Sequence, residues 1–182
     1  MEVSDLELLR RARGGDEKAF GALVDRHAAH LYGLACLLVG NSADAEDVLQ
    51  ETLTGAFTGM WRFGERASVK TWLVRILMRQ ASKFRRGRSR RPAVSLDAGA
   101  GEAPYEGGPA VRSSADAVDA RLDISQMLSE LSPEHAQVIV LREIEGFSYE
   151  EMAEALGVPR GTVESRLHRA REELRKRFRG TL

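Results

Sequence analysis

The chain has 182 residues, 43% apolar and 30% charged, with 27 basic side chains balanced by 27 acidic ones. That composition excludes disorder throughout and allows one modest core or two small ones. No run of about 18 apolar residues occurs, and the opening "MEVSDLELLRRARGG" lacks the apolar stretch of a signal peptide, so a cytoplasmic protein with no membrane contact of its own is expected.

Helix signals recur along the chain, and no convincing alternating strand pattern interrupts them, so the fold class is all-α. Ser4 with Glu7 resembles a capping box opening a first short helix. Gly14-Gly15 ends it, and Asp16 caps a second helix that runs to about Val39. The single cysteine, Cys36, lies in the apolar stretch "LYGLACLLVG" and reads as a small buried hydrophobe. After the turn at Gly40-Asn41, a third helix from Ala43 to Gly59 turns Val48, Thr52, Leu53, Ala56 and Phe57 inward. It leaves Asp47, Gln50, Glu51 and Thr54 outward at spacings of three and four. A fourth helix from Val69 to Arg86 buries Trp72, Leu73, Ile76 and Leu77.

The balanced net charge conceals a segregation. From Arg62 to Arg91 the basic residues are Arg62, Arg66, Lys70, Arg75, Arg79, Lys83, Arg85, Arg86, Arg88, Arg90 and Arg91, against Glu65 alone. A second basic cluster runs from Arg160 to Arg179, while the stretch from Asp97 to Glu154 is predominantly acidic. Two separated basic surfaces point to one nucleic acid held at two places. Arg75, Arg79, Lys83 and Arg86 read as one cationic stripe, without acidic partners at helix spacing to relieve it.

Residues 92–115 contain "PAVSLDAGAGEAPYEGGPAVRSS", which is linker chemistry; no strand precedes its glycines and no Gly-Lys-Ser/Thr follows them, so they form no phosphate loop. The chain therefore divides into a helical domain over 1–91, a flexible linker over 92–115 and a second helical domain over 116–182. In the second, a helix runs from Asp116 to Leu131, and Ser132-Pro133-Glu134 opens another that ends at Gly146. Ser148 and Glu151 form a capping box, Phe147 and Met152 can staple it, and Gly157 stops that helix after Leu156. Beyond Pro159, Val163, Leu167, Ala170 and Leu174 form an inward stripe, with Thr162, Ser165, His168 and Arg169 outward and Glu164 and Arg166 on the flanks. A tight turn followed by a polar, basic second helix is helix-turn-helix geometry, in which that helix enters the major groove.

These segments together resemble the small bacterial sigma factors of the extracytoplasmic-function group, also called group IV. "LSPEHAQVIVLREIEGFSYEEMAEALGVPRGTVESRLHRAREEL" is similar to region 4 of that group, and "NSADAEDVLQET" to its region 2.2. "ASVKTWLVRILMRQASKFRRGRSRR" resembles regions 2.3 and 2.4, and "VSLD" opens the linker as in many relatives. The resemblance implies a non-enzymatic initiation factor without cofactors. Such a factor binds core RNA polymerase at the coiled coil and flap, directs it to promoters and helps open the duplex, with an anti-sigma protein as a further partner. Region 1.1 and an ordered region 3 have no counterpart in these segments.

The resemblance also allots roles. The helix carrying Asp44, Glu46, Asp47, Gln50 and Glu51 is expected to dock on the polymerase. Trp61, Arg62, Phe63, Arg66, Ser68, Lys70, Arg75, Arg79, Lys83 and Arg86 are expected at the minus-10 element, with Trp61 and Phe63 at the entrance to a loop that accepts an extruded base. Arg160, Thr162, Glu164, Ser165, Arg166, His168 and Arg169 are expected at the minus-35 element. Glu164 stands where many relatives carry a basic residue; it either accepts from a cytosine or pairs with His168 or Arg160. Many relatives carry asparagine and aspartate where this chain has Arg79 and Lys83, which implies a grip on the minus-10 region that relies more on backbone charge.

Two other readings compete. A conventional regulator with the same terminal helix-turn-helix does not account for an acidic-faced helix followed directly by an arginine-rich one. For an enzyme the candidates are Asp25, His27, His30 and Cys36; the two histidines can share a helix face, but no CxxC, HExxH or third convergent ligand joins them, so no catalytic or metal site is expected.

Overall fold

The computed structural model describes residues 3–89 and 123–178. The expected linker, the beginning of the helix placed at Asp116, and Arg90 and Arg91 lie outside those residues.

The first half follows its punctuation. Ser4 accepts from Glu7 N to open α1 (Asp5–Arg13), and Asp16 accepts from Ala19 N to open α2 (Glu17–Val39). Gly40 ends α2 at φ 87°, a left-handed conformation that glycine adopts without a Cβ clash. Asn41 then caps α3 (Ser42–Gly59). A 3₁₀ turn over Met60–Arg62 and a short loop lead into α4 (Val69–Ser89). Thr52 is fully buried inside α3, where its hydroxyl donates to Val48 O at 2.7 Å and leaves no unmet polar group.

In the second half, α5 covers residues 123–129. Ser132 caps α6 (Pro133–Ile139), with its proline in the first turn, where no intrahelical donor is lost. The sequence predicts an unbroken helix to Gly146. Instead, the ladder widens into a π turn over Val140–Ile144, with Glu145 N donating to Val140 O at 3.0 Å. The extra residue keeps Val140 and Leu141 both at 0% exposure and turns Glu145 off the helix. The predicted capping box of Ser148 and Glu151 opens α7 (Tyr149–Leu156), Gly157 ends it at φ 65°, and α8 spans Arg160–Phe178. Phe147 and Met152 are both buried at that entrance.

Leu9, Leu31, Leu77 and Met78 are almost inaccessible in the first half, as are Leu141, Met152, Val163 and Leu167 in the second, and all belong to one continuous apolar cluster. Each such side chain contributes about 1.5–3 kcal/mol by leaving water. The fourth helix joins the halves, packing on α2 and α3 along one side and on α6 and α7 along the other. One inward assignment needs correction, since Phe57 is 50% exposed; Cys36, Leu53, Trp72, Ile76 and Leu174 are half-buried against the core, at the margins of their helices' apolar stripes.

Candidate nucleic-acid and polymerase interfaces

One face of α4 borders a cleft of about 600 Å³ whose walls include Arg62, Arg66, Arg75 and Arg79 and whose apolar side includes Phe63, Trp72 and Ile76. Its upper edge is the loop over residues 63–68. Glu65 bends that loop at φ 57°, and its carboxylate is held by Arg10 at 2.6 Å and by Arg13 at 3.5 Å. The hydrogen bond from Arg10 holds the Glu65 carboxyl below its ordinary range. Arg13 also donates to Met60 O and Phe63 O, so α1 fixes the loop from behind. Neither α1 arginine was singled out in the sequence; the signal was Glu65, the lone acid in the basic run.

The aromatic residues expected at the entrance divide. Trp61 is 61% exposed and free to stack, whereas Phe63 is only 8% exposed, its ring 5.0 Å from that of Trp72. Phe63 is thus a prop beneath the loop rather than a stacking surface. Ser68 is the start of α4 as well as the end of the loop, since its hydroxyl accepts from Thr71 N at 3.0 Å. Lys70, in the first turn of α4, reaches Glu145 at 3.1 Å.

The expected cationic stripe splits. A helix turns about 100° per residue, so each step of four advances about 40°. Arg75, Arg79 and Arg86 stay towards α6 and α7, but Lys83 has rotated into a second groove. The expected lack of relief is corrected too, because carboxylates come from the other half: Arg75 faces Glu154 at 4.0 Å, and Arg86 faces Glu134 at 3.5 Å.

That second groove, about 420 Å³, runs between α3 and α4 and is bordered by Asp44, Asp47, Glu51, Gln80, Lys83, Phe84 and Arg88. Of the five residues expected at the polymerase, Asp44, Asp47 and Glu51 share this groove. Glu46 and Gln50 are exposed one step round the helix, with Glu46 near Tyr32 of α2. Asp44 is tied to Arg88 at 2.5 Å, which leaves Asp47 and Glu51 as the exposed acids of the groove.

On α8, Arg160 donates Nε to Glu164 at 2.8 Å, pairs also with Glu150, and lies over the Tyr149 ring. These carboxylates raise its pKa further above the ordinary value. The pairing alternative for Glu164 is therefore realised with Arg160, while His168 faces Glu172 at 3.7 Å. Ser165 donates to Thr162 O, Arg169 is exposed, and half-buried Arg166 borders a small groove with Arg79 and Arg86.

The enzyme candidates do not converge. His27 bonds Asp5 at 2.7 Å, whereas His30 turns to Glu145 at 3.1 Å. Burial, then contact with half-buried Cys36, pushes the Tyr32 hydroxyl up to about 12. Among the described residues no helix is long and apolar enough to cross a membrane.

Known proteins match both halves of the chain. The family model for Sigma-70 region 2 matches residues 23–91, and that for Sigma-70 region 4 matches residues 121–174. The RNA polymerase sigma-H factor of Pseudomonas aeruginosa is 33% identical, with 96% of this chain and 94% of the relative covered. The ECF RNA polymerase sigma-E factor of Escherichia coli is also 33% identical, covering 95% and 93% respectively. Among solved structures, CnrH in complex with the cytosolic domain of CnrY superposes with a TM-score of 0.70 at 27% identity, covering 98% of this chain and 99% of that one. The sigma factor RpoE in complex with the anti-sigma factor NepR from Bartonella quintana gives 0.64 at 26% identity, covering 91% and 99%. With an acidic groove, a cationic cleft and a helix-turn-helix on one all-α chain, and with relatives matched over nearly their whole length, the chain belongs to the extracytoplasmic-function RNA polymerase sigma factors, which act in transcription initiation.

Proposed function

We propose that residues 1–91 hold core polymerase and the minus-10 element, that 92–115 connect, and that 116–182 read the minus-35 element. Core polymerase docks on the acidic groove of α3, where Asp47 and Glu51 are exposed and Asp44 is anchored by Arg88. The extruded strand enters the cleft of Arg62, Arg66, Arg75 and Arg79, with Trp61 available for stacking. Exposed Ser165, His168 and Arg169 on α8 face the minus-35 duplex, with Arg160 and Glu164 acting as a pair. The protein works in the cytoplasm, where polymerase and promoter DNA are found, and an anti-sigma protein controls it, as the complexes of its structural neighbours suggest.

The observation that carries this reading is the difference in charge on two sides of α4: a groove towards α3 where Asp44, Asp47 and Glu51 outnumber Lys83 and Arg88, and an aromatic-sided cleft away from it where four arginines outnumber Glu154. Polymerase and melted DNA can thereby be held by one helix pair without competing. The test is transcription in vitro from a promoter library with core polymerase and this protein alone, sequencing the transcripts. Defined start sites preceded by two shared elements are expected. A conventional helix-turn-helix regulator gives no initiation by core enzyme, and that result would overturn the reading.

A further inference from the structure

The loop over residues 63–68 holds an unfavourable backbone shape. Glu65 sits at φ 57°, and among the described residues it alone carries a side chain in the left-handed region. There a Cβ crowds the carbonyl that follows it, so such a residue persists only where its surroundings hold it. What holds Glu65 comes from α1. Arg10 grips the carboxylate with its fork, Nε donating to Oε1 at 3.2 Å and Nη2 to Oε2 at 2.6 Å. That pair is exposed and would by itself hold the loop weakly. Arg13 supplies the firmer part. Its side chain is 21% exposed and lies over the Phe63 ring, and its guanidinium donates to Met60 O, to Phe63 O and, at 3.5 Å, to Glu65 Oε1.

The support is itself anchored. Leu8, Leu9 and Ala12 are buried, and Asp5 at the head of α1 accepts from Arg26 of α2 and bonds His27. On the far side of the loop, Gly64, Arg66 and Ala67 border the cationic cleft, whereas Glu65 between them does not. With Glu65 turned back onto α1, the residues on both sides of it face the cleft. A socket shaped in advance loses no conformational freedom when its ligand arrives.

We propose that Arg10 and Arg13 are positioning residues for promoter opening: by holding Glu65 in the left-handed conformation they preform the socket of Gly64, Arg66 and Ala67 that receives the extruded base. This rests on the reading of the cleft as the site of the melted strand. Neither arginine borders the cleft, so their effect on DNA is carried by the backbone at Glu65.

The experiment uses the full chain with Arg10→Gln and Arg13→Gln made together, alone and with Glu65→Gly or Glu65→Ala added. Hydrogen exchange over residues 60–70 of the free chain should quicken in the double variant. With core polymerase, open complexes on a duplex promoter should fall about tenfold, the scale on which a left-handed Cβ is disfavoured. Adding Glu65→Gly, which takes this backbone without a Cβ, should restore opening to within about twofold of the parent. Adding Glu65→Ala makes the same charge change but keeps the Cβ, and should remain about threefold or more below it. Helical content and co-purification with polymerase should match the parent throughout. Should the double variant prove unstable, Arg10→Gln alone, at an exposed side chain, should show part of the loss. Unchanged exchange in the double variant overturns the brace. Unchanged opening, equal rescue by alanine and glycine, or as large a loss from Glu65→Gly alone overturns the positioning role. Whether the cleft holds the strand is read separately, from Arg75→Gln in a chain with intact α1: parent-level opening there removes that reading, while exchange over residues 60–70 still decides the brace.

Discussion

At the scale of single residues, Arg79 and Lys83 belong to different surfaces despite sitting one turn apart. Arg79 borders the cleft and Lys83 the acidic groove. Arg79→Asn should therefore flatten the salt dependence of promoter binding by about one unit of log-log slope. Lys83→Asp should leave that slope as it was, and an equal loss from both would restore the single stripe. Glu164 is a second case: with its carboxylate holding Arg160 Nε, Glu164→Lys removes the pair and presents two like charges. The expected result in a promoter library is a change in binding shared by every sequence, as for the loss of a surface ion pair; an altered minus-35 preference would show that Glu164 reads a base. The identity of these side chains was plain in the sequence, but their partners were not. Periodicity assigns a face to each residue, whereas Glu150 at the head of α7 meets Arg160 only because Gly157 turns the chain back.

Among elements, the caps were the most legible feature, since they are local chemistry: Ser4, Asp16, Ser132 and Ser148 each accept a backbone N–H at a helix start, whereas Asn41, read from the sequence only as part of a turn, proves to cap α3. The π turn after α6 was not legible, because it answers to packing of Val140 and Leu141 between two halves that lie far apart in sequence. Gly55 is similar: a Cβ there would come within 3.1 Å of Ile76 Cγ2, so it permits the close approach of α3 and α4 that shapes the acidic groove. Within that groove Asp47 and Glu51 are one turn apart and exposed, and reversing both to lysine should abolish co-purification with core polymerase while helical content stays unchanged. Normal association would move the dock elsewhere on α3 or off it.

For the whole molecule, the sequence predicted two helical units and their charges, and the fold realises the charges in a way composition does not reveal. The acidic stretch before α8 reads as a solvated surface until it is seen opposite α4. Glu145 illustrates the consequence for pH. Burial pushes its carboxyl up, but the bonds from His30 on α2 and Lys70 on α4 outweigh this and leave it below its ordinary 4.5. A group with a lowered pKa in the packed arrangement favours that packing fully above its ordinary value and loses that contribution as pH falls through the lowered one. The contact between the halves should accordingly loosen on acidification below pH 4.5, read as a red shift of tryptophan emission, and Glu145→Gln should remove that step.

The two tryptophans give the molecule an optical consequence. Trp61 is 61% exposed at the end of α3, whereas half-buried Trp72 borders the cleft beside Ala155 of the second half. Iodide should quench the emission of Trp61 readily and that of Trp72 poorly while the halves are together. Separation admits water and quencher to the second indole, so red-shifted and more uniformly quenched fluorescence reports the opening without any label, and a Trp61→Phe chain carries that signal alone.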